Sequence, residues 1–160
     1  RDPHIWLSPK RVKVMVTAIA REMAALDPDN AAVYTQNAAA YLSQLEDLDM
    51  QLKATFETVS VKKFVAFHPA FGYLAEDYGL TMYALEEEGK EATAQHMQAV
   101  IDLAKAENIK AIFYQSEIDS RQSAAFAEEI GGKTIQLEPL SANYIDNLKA
   151  MANLMAEVMQ

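Results

Sequence analysis

The sequence predicts an α/β fold: a four-stranded parallel sheet flanked by helices on both faces, with two further helices at its N-terminal end. Three observations carry that prediction. From residue 62 onward, short apolar runs alternate with helical patterns four times, the mark of an open parallel sheet with crossover helices. Runs such as "KKFVAFH" and "KAIFYQSE" are continuously apolar at their centres rather than alternating, as expected of strands covered on both faces. The residues before them show only the 3.6-residue period of helices.

The elements follow in order. After "DPHIWLSP", the spacing of Val12, Met15, Val16, Ile19, Met23 and Leu26 predicts a helix over 9–26. Ser8 and Pro9 stand at its N-cap and first helical position. "LDPDN" stops that helix and starts the next, with Asp29 or Asn30 as its cap. The second helix, 31–59, carries the stripe Tyr34, Ala38, Tyr41, Leu45, Leu48, Leu52 and Phe56. The strand "KKFVAFH" is followed by a short helix, "PAFGYLAEDYG", closed by Gly79. The second strand, "LTMYALEEE", leads to the helix "TAQHMQAVIDLAKAENI", which turns Met97, Val100, Ile101 and Ala104 inward. The third strand, "KAIFYQSE", leads to "SRQSAAFAEEIGG", again closed by glycine. "KTIQLEPL" is the fourth strand and "NYIDNLKAMANLMAEVMQ" the last helix. No linker, repeat or low-complexity segment interrupts this series, so 1–160 reads as one domain.

Composition narrows the function. Of 160 residues, 51% are hydrophobic, yet no run reaches the ~18 unbroken apolar residues of a membrane span. Acidic side chains outnumber basic ones, 23 to 14, giving a net charge of -9. That disfavours a nucleic-acid partner, which calls for clustered Lys and Arg, and is compatible with a cation. The absence of cysteine excludes disulfides, thiolate metal sites and cysteine nucleophiles.

The chemistry gathers at strand ends. The first strand ends on His68, the second runs into Glu86, Glu87 and Glu88, the third into Glu117 and Asp119, and the fourth ends on Glu138. Ligands of open α/β sheets bind beyond the carboxyl ends of the strands. Glu86, Glu87, Glu88 and Asp119 have a plainer reading, since helix N-termini and solvated loops favour negative charge. His68 and Glu138 differ, because each directly follows an apolar run and precedes a proline. His68 by itself could plug a core, bind a metal or move a proton. His4, in the irregular segment before the first helix, tilts the balance towards metal. His4, His68 and Glu138 would give two nitrogens and one carboxylate, a set that zinc or manganese accepts but short of a closed four-ligand site. His96 lies on a helix beside its apolar stripe and reads as structural. Tyr73 and Trp6 read as packing residues, and Tyr83 and Tyr114 as core.

"DPHIWLSP", "FHPAFGYLAEDYGL" and "LEPLSANYIDNLKAM", in this order, with "AVIDLAKAENIKAIFYQSEIDSRQSAAFAEEIGGKTIQLEPL" between, resemble the zinc- and manganese-binding substrate-binding proteins of bacterial ABC importers. The likeness covers essentially the whole chain. It implies two lobes joined by a long helix, with a divalent metal held in the cleft. This chain would be the C-terminal lobe of a periplasmic or otherwise extracytoplasmic protein, the N-terminal lobe and connecting helix being absent from it. The resemblance places His4 and His68 as ligands. Glu138 stands where the family more often has aspartate, one methylene shorter. The other lobe would supply a further ligand, and a membrane permease would receive the cargo. Glu117 would orient a histidine ring or bind the metal itself. Zn2+ is favoured over Mn2+, and because imidazole must be neutral to bind, affinity is expected to fall in mild acid.

Two other classes remain open. A metal-dependent hydrolase would use the same open site with Glu117 as base, although no HExxH pair, nucleophile elbow or glycine-rich phosphate loop is present. A surface adhesin or interaction lobe would need no metal chemistry.

Overall fold

In the computed structural model, residues 2–86, 89–116 and 121–160 are described. A 3-10 turn, Ile5–Leu7, leads into α1 (Pro9–Leu26) and α2 (Ala31–Glu57), which form an antiparallel hairpin. Four β–α units follow: β1 (Lys63–Ala66) with α3 (Gly72–Asp77), β2 (Thr81–Ala84) with α4 (Ala94–Ala106), β3 (Ala111–Gln115) with α5 (Arg121–Glu129), and β4 (Lys133–Leu137) with α6 (Tyr144–Val158). All pairings are parallel and the strand order is β2-β1-β3-β4. The strands are shorter than the apolar runs that predict them.

Successive residues of β1 face opposite layers, as the pleat requires. Phe64 and Ala66 join a core built with Leu45, Leu48, Leu52 and Phe56 of α2, Leu74 of α3, and Leu148, Met151 and Met155 of α6. Val65 and Phe67 join a second core with Val100, Ile101 and Ala104 of α4 and Phe126 and Ala127 of α5. Tyr83 and Tyr114 are half-buried against this second core rather than within it.

The α1 stripe is only partly used. Val12 is buried and Met15 and Val16 pack on the first core. Ile19, Met23 and Leu26, expected to face inward, are 58%, 41% and 83% exposed. The physical reason lies in the hairpin: α1 packs chiefly on α2 rather than on the sheet. Ser8 caps α1 through its backbone position, but its hydroxyl donates to the Asp77 carboxylate and accepts no N–H of the helix. Gly79 closes α3 at φ +68, a left-handed conformation that a side chain disfavours. Among the described residues no helix is long and apolar enough to cross a membrane.

The chain goes from β1 to β2 on one side and then to β3 on the other. The carboxyl ends of β1 and β3 therefore flank the point where the connections diverge, the place at which open α/β sheets hold ligands.

Candidate metal centre

His68 emerges from the carboxyl end of β1 at this divergence. The register Lys63↔Thr81 to Ala66↔Ala84, carried two residues further, sets Glu86 beside His68. The ladder does continue: the Leu85 and Glu86 N–H groups donate to the carbonyls of Ala66 and Phe67. Neighbours in a parallel pair point to the same face, and the Glu86 carboxylate lies 2.9 Å from His68 Nδ1. Glu86 is 10% exposed and His68 27%, so the carboxylate is the more enclosed of the two.

His4 is held in the same way from a different source. The Asp2 carboxylate accepts from the His4 backbone N–H at 2.9 Å and lies 2.7 Å from His4 Nδ1. Asp2 is fixed in turn by the Tyr73 hydroxyl, which donates to its carbonyl at 3.0 Å. Gly72 makes room for it, since a Cβ there would stand 3.0 Å from the second Asp2 carboxylate oxygen. The Arg11 guanidinium covers the Tyr73 ring at 4.2 Å.

The two histidines meet. Their Nε2 atoms are 3.3 Å apart and their ring planes stand at 82°. In neutral rings whose Nδ1–H is given to the carboxylate, both Nε2 lone pairs would face the same space. Two nitrogens bound to zinc at about 2.0–2.1 Å with a tetrahedral angle lie about 3.3–3.4 Å apart. A cation between these rings would meet both lone pairs with little rearrangement.

Glu138 stands apart from the pair. It follows β4, two strands from β1, and its carboxylate accepts from Ser116 Oγ at 3.3 Å and from the Leu140 N–H at 3.4 Å. Among the described residues no group of three or more His, Asp or Glu is arranged to hold an ion. Glu117, Glu87, Glu88 and Asp119 lie outside the described residues. His96 is half-buried on α4 and donates from Nε2 to the Ala84 carbonyl.

Four residues escape the sequence reading. Glu86 looks like a helix-dipole acid until the register is known. Asp2 is two residues from His4, a reach that only the bend through Pro3 reveals. Tyr73 and Trp6, expected to pack, also make polar contacts. The Trp6 indole N–H donates to the Pro139 carbonyl at 3.0 Å, and the Tyr144 hydroxyl donates to the Trp6 carbonyl at 2.7 Å. Burial pushes the Tyr144 pKa up, so the phenol remains a donor. The one available signal was chemical: a buried indole or phenol needs a partner.

The chain is similar to known proteins along nearly its whole length. A family model, the periplasmic component A of zinc-uptake complexes, matches residues 1–158. The high-affinity zinc uptake system protein ZnuA of Bacillus subtilis (strain 168) is 35% identical over 141 residues, covering 87% of this chain and 44% of its own length. A crystal structure of ZnuA superposes with a TM-score of 0.96 at 42% identity, covering 99% of this chain and 62% of that one. The laminin-binding protein of Streptococcus agalactiae, described as having adhesin and metal-transporting activity, superposes at 0.92 with 28% identity, covering 99% of this chain and 65% of that one. The chain thus spans less than half of the Bacillus relative and about two-thirds of the solved chains. The family model spans all but the last two residues, and the solved relatives share the parallel sheet: the chain belongs to the family of periplasmic zinc-uptake components typified by ZnuA.

Proposed function

We propose that this chain is the metal-binding lobe of an extracytoplasmic solute-binding protein that captures a divalent metal ion, zinc in preference to manganese, and delivers it to an ABC-type importer permease. The observation that carries the reading is the His4–His68 pair, with two Nε2 atoms 3.3 Å apart and each Nδ1 against a carboxylate. The names of the relatives support zinc as the cargo.

On this reading His4 and His68 bind the ion through Nε2, while Asp2 and Glu86 hold the rings in the tautomer that leaves those nitrogens free. Glu138 turns from Ser116 towards the ion as a third ligand, its negative oxygen offsetting the metal's charge. A second lobe of the full-length protein supplies a further ligand and covers the site. Two imidazoles and a carboxylate suit zinc, while manganese favours more oxygen. The ion is cargo, and the chain performs no chemistry on it.

The test is a calorimetric titration of the chain with zinc and with manganese, beside His4→Ala and His68→Ala variants whose folding is checked by circular dichroism. One zinc per chain is expected, lost in both variants, with manganese weaker. Zinc binding that survives both substitutions would overturn the histidine site, and manganese binding tighter than zinc would overturn the choice of cargo.

A further inference from the structure

The geometry points to Trp6 as a positioning residue: it latches the segment that carries His4 to the loop that carries Glu138, and so sets how closely the carboxylate can approach the histidine pair. This inference rests on the reading of His4, His68 and Glu138 as ligands.

The gap to be bridged is large. Two steps of a sheet separate β1 from β4, about 9–10 Å at the usual strand spacing, and the Glu138 carboxylate now rests on Ser116 and the Leu140 N–H. Whether it reaches an ion between His4 and His68 depends on where its backbone is anchored. Two hydrogen bonds anchor it, and a third holds Trp6, one of the two donors. Asn147 Nδ2 donates to the Glu138 carbonyl at 2.6 Å. The Trp6 indole N–H donates to the carbonyl of Pro139, the next residue, and the Tyr144 hydroxyl returns a bond to the Trp6 carbonyl. Pro139 is buried and has no N–H, so its carbonyl is its only polar backbone group and needs a donor. The other face of the latch is the site itself, for the indole stands edge-on to the His4 ring with centroids 5.4 Å apart. One side chain thus touches a ligand's ring and the backbone next to another ligand, across 133 positions of sequence.

The Trp6→Phe substitution keeps an aromatic ring beside His4 and removes only the donor. The experiment is a double-substitution cycle on the whole chain with zinc as the probe: Trp6→Phe, Glu138→Gln and the pair together, each titrated and each melted by circular dichroism. Trp6→Phe is expected to weaken zinc binding about tenfold, the scale of one lost hydrogen bond. Glu138→Gln weakens it as well. In the Glu138→Gln background, Trp6→Phe is expected to cost nothing further, because it acts through that carboxylate. A residue that only packs would instead weaken binding equally in both backgrounds, and that result overturns the inference. If Glu138→Gln weakens binding and Trp6→Phe does not, the latch fails while the ligand reading stands. If Glu138→Gln leaves affinity unchanged, both fail together. Tyr144→Phe removes the second half of the latch with the indole in place and is expected to show the same background dependence. It decides the matter should Trp6→Phe not fold.

Discussion

At the scale of single residues, the two histidines were legible and their supports were not. A histidine that ends an apolar run is unusual enough to be noticed in one dimension. Glu86 became meaningful only when the register Lys63↔Thr81 set it beside His68, and Asp2 only when the chain bent back on itself. Both carboxylates stand in the same place, each against Nδ1, a contact that restrains the ring and, in a neutral imidazole, favours the tautomer with Nε2 free. Such outer partners typically contribute about 10–100-fold to metal affinity. Asp2→Asn and Glu86→Gln are each expected to weaken zinc binding within that range while leaving the melting temperature nearly unchanged. Competition against a chelator of known affinity measures it. Affinity equal to that of the unaltered chain in both variants would show that packing alone orients the rings. Glu138 sits at the opposite extreme. It was conspicuous in the sequence, yet it is held by Ser116 and the Leu140 N–H, away from the pair.

At the scale of elements, helical period told where the helices lie and not what they face. The C-terminal half of α2 is buried on the sheet, whereas the far end of α1 carries an equally regular stripe into solvent. What fixes α1 is polar and was invisible in the pattern. The Asp77 carboxylate, at the end of α3, accepts from the Ser8 hydroxyl at 2.6 Å and from Arg11 Nε at 2.8 Å. Lys10 donates to the Asp77 carbonyl at 2.6 Å. Burial alone would raise the Asp77 pKa. The bonds from Arg11 and Ser8 and the charges of Arg11 and Lys10 outweigh it and hold the pKa below the ordinary value of 3.8. A carboxyl whose pKa is depressed by folding stabilises the protein above its unfolded pKa, and that contribution is lost as the pH falls through the folded one. Asp77→Ala should therefore destabilise the chain at neutral pH by about 1–3 kcal/mol, since it also strands the buried Ser8 hydroxyl. The deficit should narrow below about pH 4, where the unaltered chain loses its own charge. Thermal melts of both proteins at pH 7 and pH 3 check this. A gap of equal size at both pH values would mean that the carboxylate's charge contributes nothing to the clamp.

At the scale of the molecule, the alternation of strands and helices dictated a parallel sheet, but the order β2-β1-β3-β4 was not written in any segment. It follows from where each crossover packs, and it creates the divergence at which the histidines meet. The same scale decides how well the chain alone can hold an ion. The histidine pair is preformed, so little ordering cost attaches to those two nitrogens. A structural zinc site nevertheless takes four ligands, and among the described residues no group of three or more His, Asp or Glu is arranged to hold an ion. The relatives are longer than this chain, which covers 62% of the solved ZnuA chain, and the proposed second lobe would add both a ligand and a wall that excludes water. The chain alone is therefore expected to bind zinc at least ~100-fold more weakly than the two-lobed protein, a difference of about 2.7 kcal/mol. Parallel competition titrations of the two at one pH and ionic strength measure the ratio. Equal affinities would mean that the 160 residues supply the whole coordination sphere, and that the second lobe acts only as a lid.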